Sequence, residues 1–146
     1  IQRSRPRFVY THILAPHFPY FRDRDGKLRP REKPGYEGWE TGVNNPYTNY
    51  VHYNNGEIRK LVDTILQKTN GKAVILLLGD HGFHLNMPDE LLHWKFNNQC
   101  AVYLPNGQYD RYYDSVTNIN QFRILFNTLF AQRYPMMKDS CIMVNH

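Results

Sequence analysis

Cysteine is scarce in this chain: Cys100 and Cys141 are the only two, too few for the disulfide framework that staples small secreted domains. No run of apolar residues approaches the roughly 18 that a membrane-spanning helix needs, so no helical span is expected within these residues. The opening Ile1-Gln2-Arg3-Ser4-Arg5-Pro6-Arg7 is no signal peptide and has no initiating Met. The chain is therefore expected to be a piece of a longer protein whose targeting signals lie elsewhere. Internal repeats and low-complexity tracts are also missing. So are a paired ribonucleoprotein signature and Cys₂His₂ spacing, and no nucleic-acid partner is expected.

What remains is a chain of 146 residues, 41% apolar, which suits one ordinary domain and excludes a disordered one. The net charge is +5, with Arg3, Arg5, Arg7, Arg22, Arg24, Lys27, Arg29, Arg31 and Lys33 crowded into the first quarter. Such a bias favours anionic partners such as phosphate esters, sulfate esters or acidic glycans. A solvated loop accounts for the same charges. Cys100 falls in an apolar run and is expected to be a small buried hydrophobe.

Arg7–Leu14, rich in β-branched and aromatic residues, reads as a first strand. Prolines and glycines then mark a loop from Ala15 to about Asn49. From Tyr50 to Thr69, Ile58, Leu61, Val62, Ile65 and Leu66 recur at helical spacing, with Asn70-Gly71 as a left-handed stop. A strand over Ala73–Leu78 follows, then a loop from Phe83 to about Asn98. Another strand is read over Gln99–Leu104, and a final helix is capped by Ser115 or Thr117. Its expected buried face is Val116, Ile119, Phe122, Phe126, Leu129 and Phe130. This order predicts an α/β layered fold, a mostly parallel sheet flanked by helices.

The run Ala73–Leu78 empties directly into Gly79-Asp80-His81-Gly82. Ligands of open α/β sheets bind beyond the carboxyl ends of strands. A carboxylate next to a neutral imidazole suits zinc or manganese, whereas a capped turn would use Asp80 on backbone N–H groups instead. His12 and His17 leave the first strand, with His17 bracketed by Pro16 and Pro19, and His93 follows His81 by twelve residues. Parallel strands would bring these loops to one sheet edge.

Pro16-His17-Phe18-Pro19-Tyr20, the helix with Tyr50…Asn55 at its start, and Ile75–Gly82 together resemble the alkaline phosphatase superfamily. The nearest part is its sulfatase-like branch of arylsulfatases, lipoteichoic acid synthases and phosphoethanolamine transferases. Val116–Arg123 resembles a helix that follows the last core strands in bacterial members. The resemblance covers roughly Phe8 to Asp139 and implies that residues 1–146 are the C-terminal portion of a sulfatase-like catalytic domain. It implies Asp80 and His81 as metal ligands. His17 and His12 would bind substrate oxyanions, or His17 a second metal. His93 matches a later family histidine, and Lys95 is a rival match as a sulfate-gripping lysine.

The implied reaction is metal-dependent hydrolysis or transfer of sulfate esters or phosphoesters through a covalent intermediate. One or two divalent ions are implied, zinc or manganese first, with magnesium or calcium as further options. The substrate would be a sulfated or phosphorylated glycan, lipid headgroup or small molecule. Neither cysteine stands in the Cys-x-Pro-x-Arg setting of a formylglycine nucleophile. The resemblance implies a catalytic Thr, Ser or formylglycine-forming Cys at a strand end well upstream, so the nucleophile is expected there and the piece alone is expected to be inactive. His84 is an additional imidazole outside the family pattern. The whole protein is expected outside the cytoplasm, in the periplasm or at the cell surface, with any membrane anchor in segments beyond these. The alternative reading is a non-catalytic anion- or glycan-binding module, or a degenerate domain of the same family.

Overall fold

The computed structural model describes residues 5–30, 45–83 and 88–142. The chain divides into two compact units, Ile1–Arg59 and Lys60–His146. Arg3, Arg31, Lys33 and His84 lie outside the described residues.

Helix α1 spans Pro46–Thr69, four residues earlier than the apolar stripe alone predicts. Asn45 causes the early start. Its Oδ1 accepts the Thr48 N–H at 3.2 Å, and proline at the first helical position gives up no needed donor. The helix stops as expected. Asn70 turns left-handed (φ 50°), its N–H donates to the Gln67 carbonyl at 3.3 Å, and the Gly71 N–H donates to the Leu66 carbonyl at 2.8 Å. These two bonds satisfy carbonyls that the helix end leaves without partners.

In the first unit, Tyr20 is buried. Its ring meets Phe18 edge-on at 5.5 Å and lies beside Tyr47 and Tyr50 at 5.8 and 6.2 Å. A tight turn follows, in which the Asp23 carboxylate accepts the N–H groups of Asp25 and Lys27. Gly26 (φ +84°) lies so close to Tyr53 that a Cβ would come within 2.6 Å of the ring. The Arg22 guanidinium stands over the same ring at 5.6 Å, a cation–π contact that holds the turn on α1. Arg7–Leu14 is extended but joins no sheet among the described residues, and Phe8, Val9, Tyr10 and Leu14 are exposed. The first strand expected there is not formed. A strand needs a hydrogen-bonded neighbour, and composition alone does not supply one.

In the second unit, β1 (Ile75–Leu78) and β2 (Cys100–Tyr103) pair antiparallel, from Ile75 opposite Tyr103 to Leu78 opposite Cys100. This corrects the expected parallel sheet for the described strands; the fold is mixed α/β. The reason is the connection. The Gly79 N–H donates to the Gln99 carbonyl at 2.7 Å, so the chain leaves and re-enters the sheet at the same end, and a parallel crossover would return at the other. A 3-10 helix, Asp89–Phe96, lies within this connection. The strands are half-buried or exposed rather than covered on both faces, and Cys100 is exposed, not buried.

Helix α2 (Asn118–Leu129) turns a different face inward from the expected one. Asn120, Gln121, Ile124 and Leu125 are buried, while Ile119, Phe122, Phe126 and Phe130 are exposed. Asn120 is recruited for hydrogen bonds rather than for apolar area, while Gln121 donates through Nε2 to Cys100 Sγ at 3.1 Å. Asn120 takes both main-chain groups of Met137, accepting its N–H at 2.9 Å and donating to its carbonyl at 2.8 Å. Seven residues on, Asn127 grips Tyr134 in the same two-point way. The tail therefore runs along α2 on two asparagine side chains.

Candidate active site

The end of β1 carries Gly79, Asp80, His81 and Gly82, and each is fixed by a different bond. The Gly79 carbonyl accepts two side-chain amides, from Asn98 at 2.6 Å and from Asn118 at 2.7 Å. A Cβ on Gly79 would press on Asn98 and the Gln99 backbone at 3.3 Å. The exposed Asp80 carboxylate accepts the His81 N–H at 3.0 Å through Oδ1. Its Oδ2 stands 3.7 Å from His81 Nε2.

The His81 ring is oriented by Gly82, whose carbonyl lies 2.7 Å from Nδ1. A carbonyl can only accept, so Nδ1 carries the proton and the Nε2 lone pair lies on the side of Asp80. Two ligand atoms about 2.0–2.2 Å from one tetrahedral ion stand about 3.4 Å apart, close to the 3.7 Å seen. The pair fits a divalent cation as two of its ligands. Among the described residues no group of three or more His, Cys, Asp or Glu gathers to complete such a site.

Gly82 ties this turn to the 3-10 helix. Its N–H donates to the Lys95 carbonyl at 2.8 Å, and a Cβ there would overlap the Trp94 carbonyl and come within 2.7 Å of that of Asn97. No residue but glycine fits. Lys95 is half-buried beside the turn, whereas His93 is exposed with its ring 5.4 Å from that of Trp94. Two residues apart on a helix of three residues per turn, His93 and Lys95 leave it in different directions.

In the other unit, His17 repeats the device seen at His81. Its Nδ1 lies 2.6 Å from the Phe18 carbonyl, which places the proton on Nδ1. Its own N–H donates to Leu14 at 2.8 Å. His12 is exposed.

Asn98 and Asn118 are the site residues that sequence reasoning missed. Amides bound to a backbone carbonyl have no characteristic spacing. The signal available was Asn118 itself, at the start of a helix and inside the run that resembles bacterial members. A further polar cluster anchors that helix. The Asp139 carboxylate accepts the Thr117 N–H at 2.9 Å, the Thr117 hydroxyl at 2.5 Å, Asn120 Nδ2 at 3.0 Å and the Tyr113 hydroxyl. Thr117 is at the N-cap, as expected, but its hydroxyl serves Asp139 rather than the helix. These donors hold the Asp139 carboxyl well below its ordinary range, the Thr117 hydroxyl most strongly, and the Tyr113 phenol is raised in turn by its bond to Asp139.

A family model described as Sulfatase matches residues 1–135. The chain belongs to the sulfatase family. No curated protein and no solved structure matches it. This sulfatase match agrees with the resemblance to the sulfatase-like branch of the alkaline phosphatase superfamily. Members of the family act on sulfate esters and generally use divalent metal ions.

Proposed function

We propose that this sulfatase chain supplies the Asp80–His81 metal-ligand pair and the oxyanion-binding groups of a sulfuric- or phosphoric-ester hydrolase or transferase. The observation that carries the reading is the pair itself: carboxylate oxygen and imidazole nitrogen 3.7 Å apart, with the tautomer set by the Gly82 carbonyl. Carbonyl-bound imidazoles of this kind are the usual form of metal-ligating histidine.

A divalent ion held there would lower the pKa of a nucleophilic hydroxyl. That nucleophile, a Thr, Ser or formylglycine-forming Cys on the family pattern, is assigned outside these residues; neither cysteine here lies in a formylglycine motif. The chain's own groups bind and neutralise. His17 is assigned to the substrate oxyanions on the family resemblance, and Lys95, beside the site turn, offers a positive charge to the transferred group. His93 and His12 are auxiliary candidates for the same task. Charge-stabilising groups of this type are worth about 10²- to 10³-fold in rate. The basic residues of the first unit suit an anionic ester, and the whole protein is assigned outside the cytoplasm.

The test is metal content and turnover in the whole protein. Wild type is expected to retain zinc or manganese and to turn over an aryl sulfate or an aryl phosphate diester. His81→Ala and Asp80→Asn should lose both. Metal content unchanged in both variants would refute the ligand assignment, and metal-free wild type without turnover would favour the non-catalytic binding module.

A further inference from the structure

We propose that Asn118 and Asp139 are positioning residues: they set the Asp80–His81 pair from the far end of the chain. The inference rests on the metal-ligand reading of that pair.

The hydrogen bonds lead backward from Asp80. Its carboxylate is exposed, so packing does not hold it, and its direction depends on the peptide plane that precedes it. The Gly79–Asp80 peptide is held at its carbonyl, which has two lone pairs. Asn98 takes one and Asn118 the other, at 2.6 and 2.7 Å. Asn98 comes from the return leg of the same loop and moves with it. Asn118 comes from α2, thirty-nine residues on, and it alone of these two references the turn to another element.

Asn118 is the first residue of α2, where helices fray unless capped. Thr117 sits at the N-cap, yet its side chain makes no capping bond. Asp139 takes over, binding both the Thr117 N–H and its hydroxyl while Asn120, one turn in, binds the same carboxylate oxygen. A carboxylate at a helix N-terminus is also favoured by the helix dipole. The tail is brought there by the two-point grips of Asn120 on Met137 and of Asn127 on Tyr134. The path runs from Asp139 to Thr117, to Asn118, to the Gly79 carbonyl and so to Asp80. Neither Asn118 nor Asp139 is assigned as a metal ligand; each acts through the Gly79 carbonyl.

The experiment measures zinc and manganese affinity of the whole protein by isothermal titration, with thermal unfolding of the metal-free form alongside. Asn118→Asp keeps the shape but presents an acceptor to a carbonyl. It should weaken metal binding about 10-fold, the low end for residues that orient metal ligands. Asn118→Ala provides a second variant if the aspartate distorts the helix start. Asn118→Gln, which keeps the donor, should recover part of the loss. Asp139→Ala should weaken binding several-fold alone and add little to Asn118→Ala, because both act on one carbonyl. Its unfolding temperature should nevertheless fall further in the double variant.

Retained affinity within 2-fold in Asn118→Ala, while His81→Ala abolishes binding, overturns the positioning role and leaves the ligand pair intact. Strict additivity of the two affinity losses also overturns it. Wild type that binds neither metal overturns the underlying reading and this inference with it.

Discussion

Replacing Asn120 by alanine removes a side chain that is fully buried and makes three hydrogen bonds. Two go to the main chain of Met137 and one to Asp139. At about 1 kcal/mol net for each bond, the loss is about 3 kcal/mol. Two corrections oppose each other. The void left by the amide adds to the cost, while Met137 is half-exposed, so water can reach its freed groups and reduce it. Urea unfolding of the purified chain reads the outcome. With a slope of about 2 kcal/mol per molar for a chain of this size, the midpoint should fall by about 1.5 M. Asn120→Asp sharpens the test. It preserves the shape, but as an ionised acceptor it faces the Met137 carbonyl and the Asp139 carboxylate. It should cost at least as much at neutral pH and recover as acid protonates one of the two carboxyls. A midpoint shift below about 0.3 M for Asn120→Ala, at unchanged slope, would refute the claim that asparagine side chains hold the tail on α2.

Two further outcomes follow from the same geometry. The Asp139 carboxyl is held below its ordinary value by Thr117, Tyr113 and Asn120; a depressed folded pKa adds stability above the unfolded value and loses it as pH falls through the folded one. The stability gap between wild type and Asp139→Asn should therefore be constant above about pH 5 and close progressively below about pH 4 in urea titrations at stepped pH; a gap that widens on acidification would exclude the carboxylate as its source. Gly82→Ala must push the Trp94 and Asn97 carbonyls aside, at about 1–3 kcal/mol or more, and should abolish metal retention even where circular dichroism shows the helices intact.

Much of this was legible in the sequence. The apolar run before Asp80 gives β1, and the three-and-four spacing of Ile58 to Leu66 gives α1 with its Asn70-Gly71 end. Asp80 and His81 fall at one turn, as a strand end followed by a glycine suggests. Other features were hidden for physical reasons. An apolar run identifies a strand but not its partner, so the antiparallel pairing of β1 with β2 had no signature. Arg7–Leu14 carries strand composition, yet pairing is a property of two segments. The period of Ile119, Phe122 and Phe126 marks an amphipathic helix correctly and its inward face wrongly, because Asn120 is buried for its hydrogen bonds and Gln121 is buried beside it. A hydropathy count treats them as surface residues.

The ordering of the site follows from its exposure. Packing immobilises buried side chains, but Asp80, His81 and His17 are exposed, and an exposed rotamer set is costly to freeze at each encounter. The chain supplies the order through the backbone instead. Each imidazole donates to the carbonyl of the next residue, and Gly79, before Asp80, is held by two amides on its carbonyl and by its own N–H on Gln99. Backbone groups can serve this way only if they approach closely, and Gly79 and Gly82 permit that approach, since a side chain at either would press on or overlap the returning loop. On the proposed reading the Gly-Asp-His-Gly sequence is one device: two residues that would present ligand atoms, and two that let the surrounding backbone come near enough to aim them.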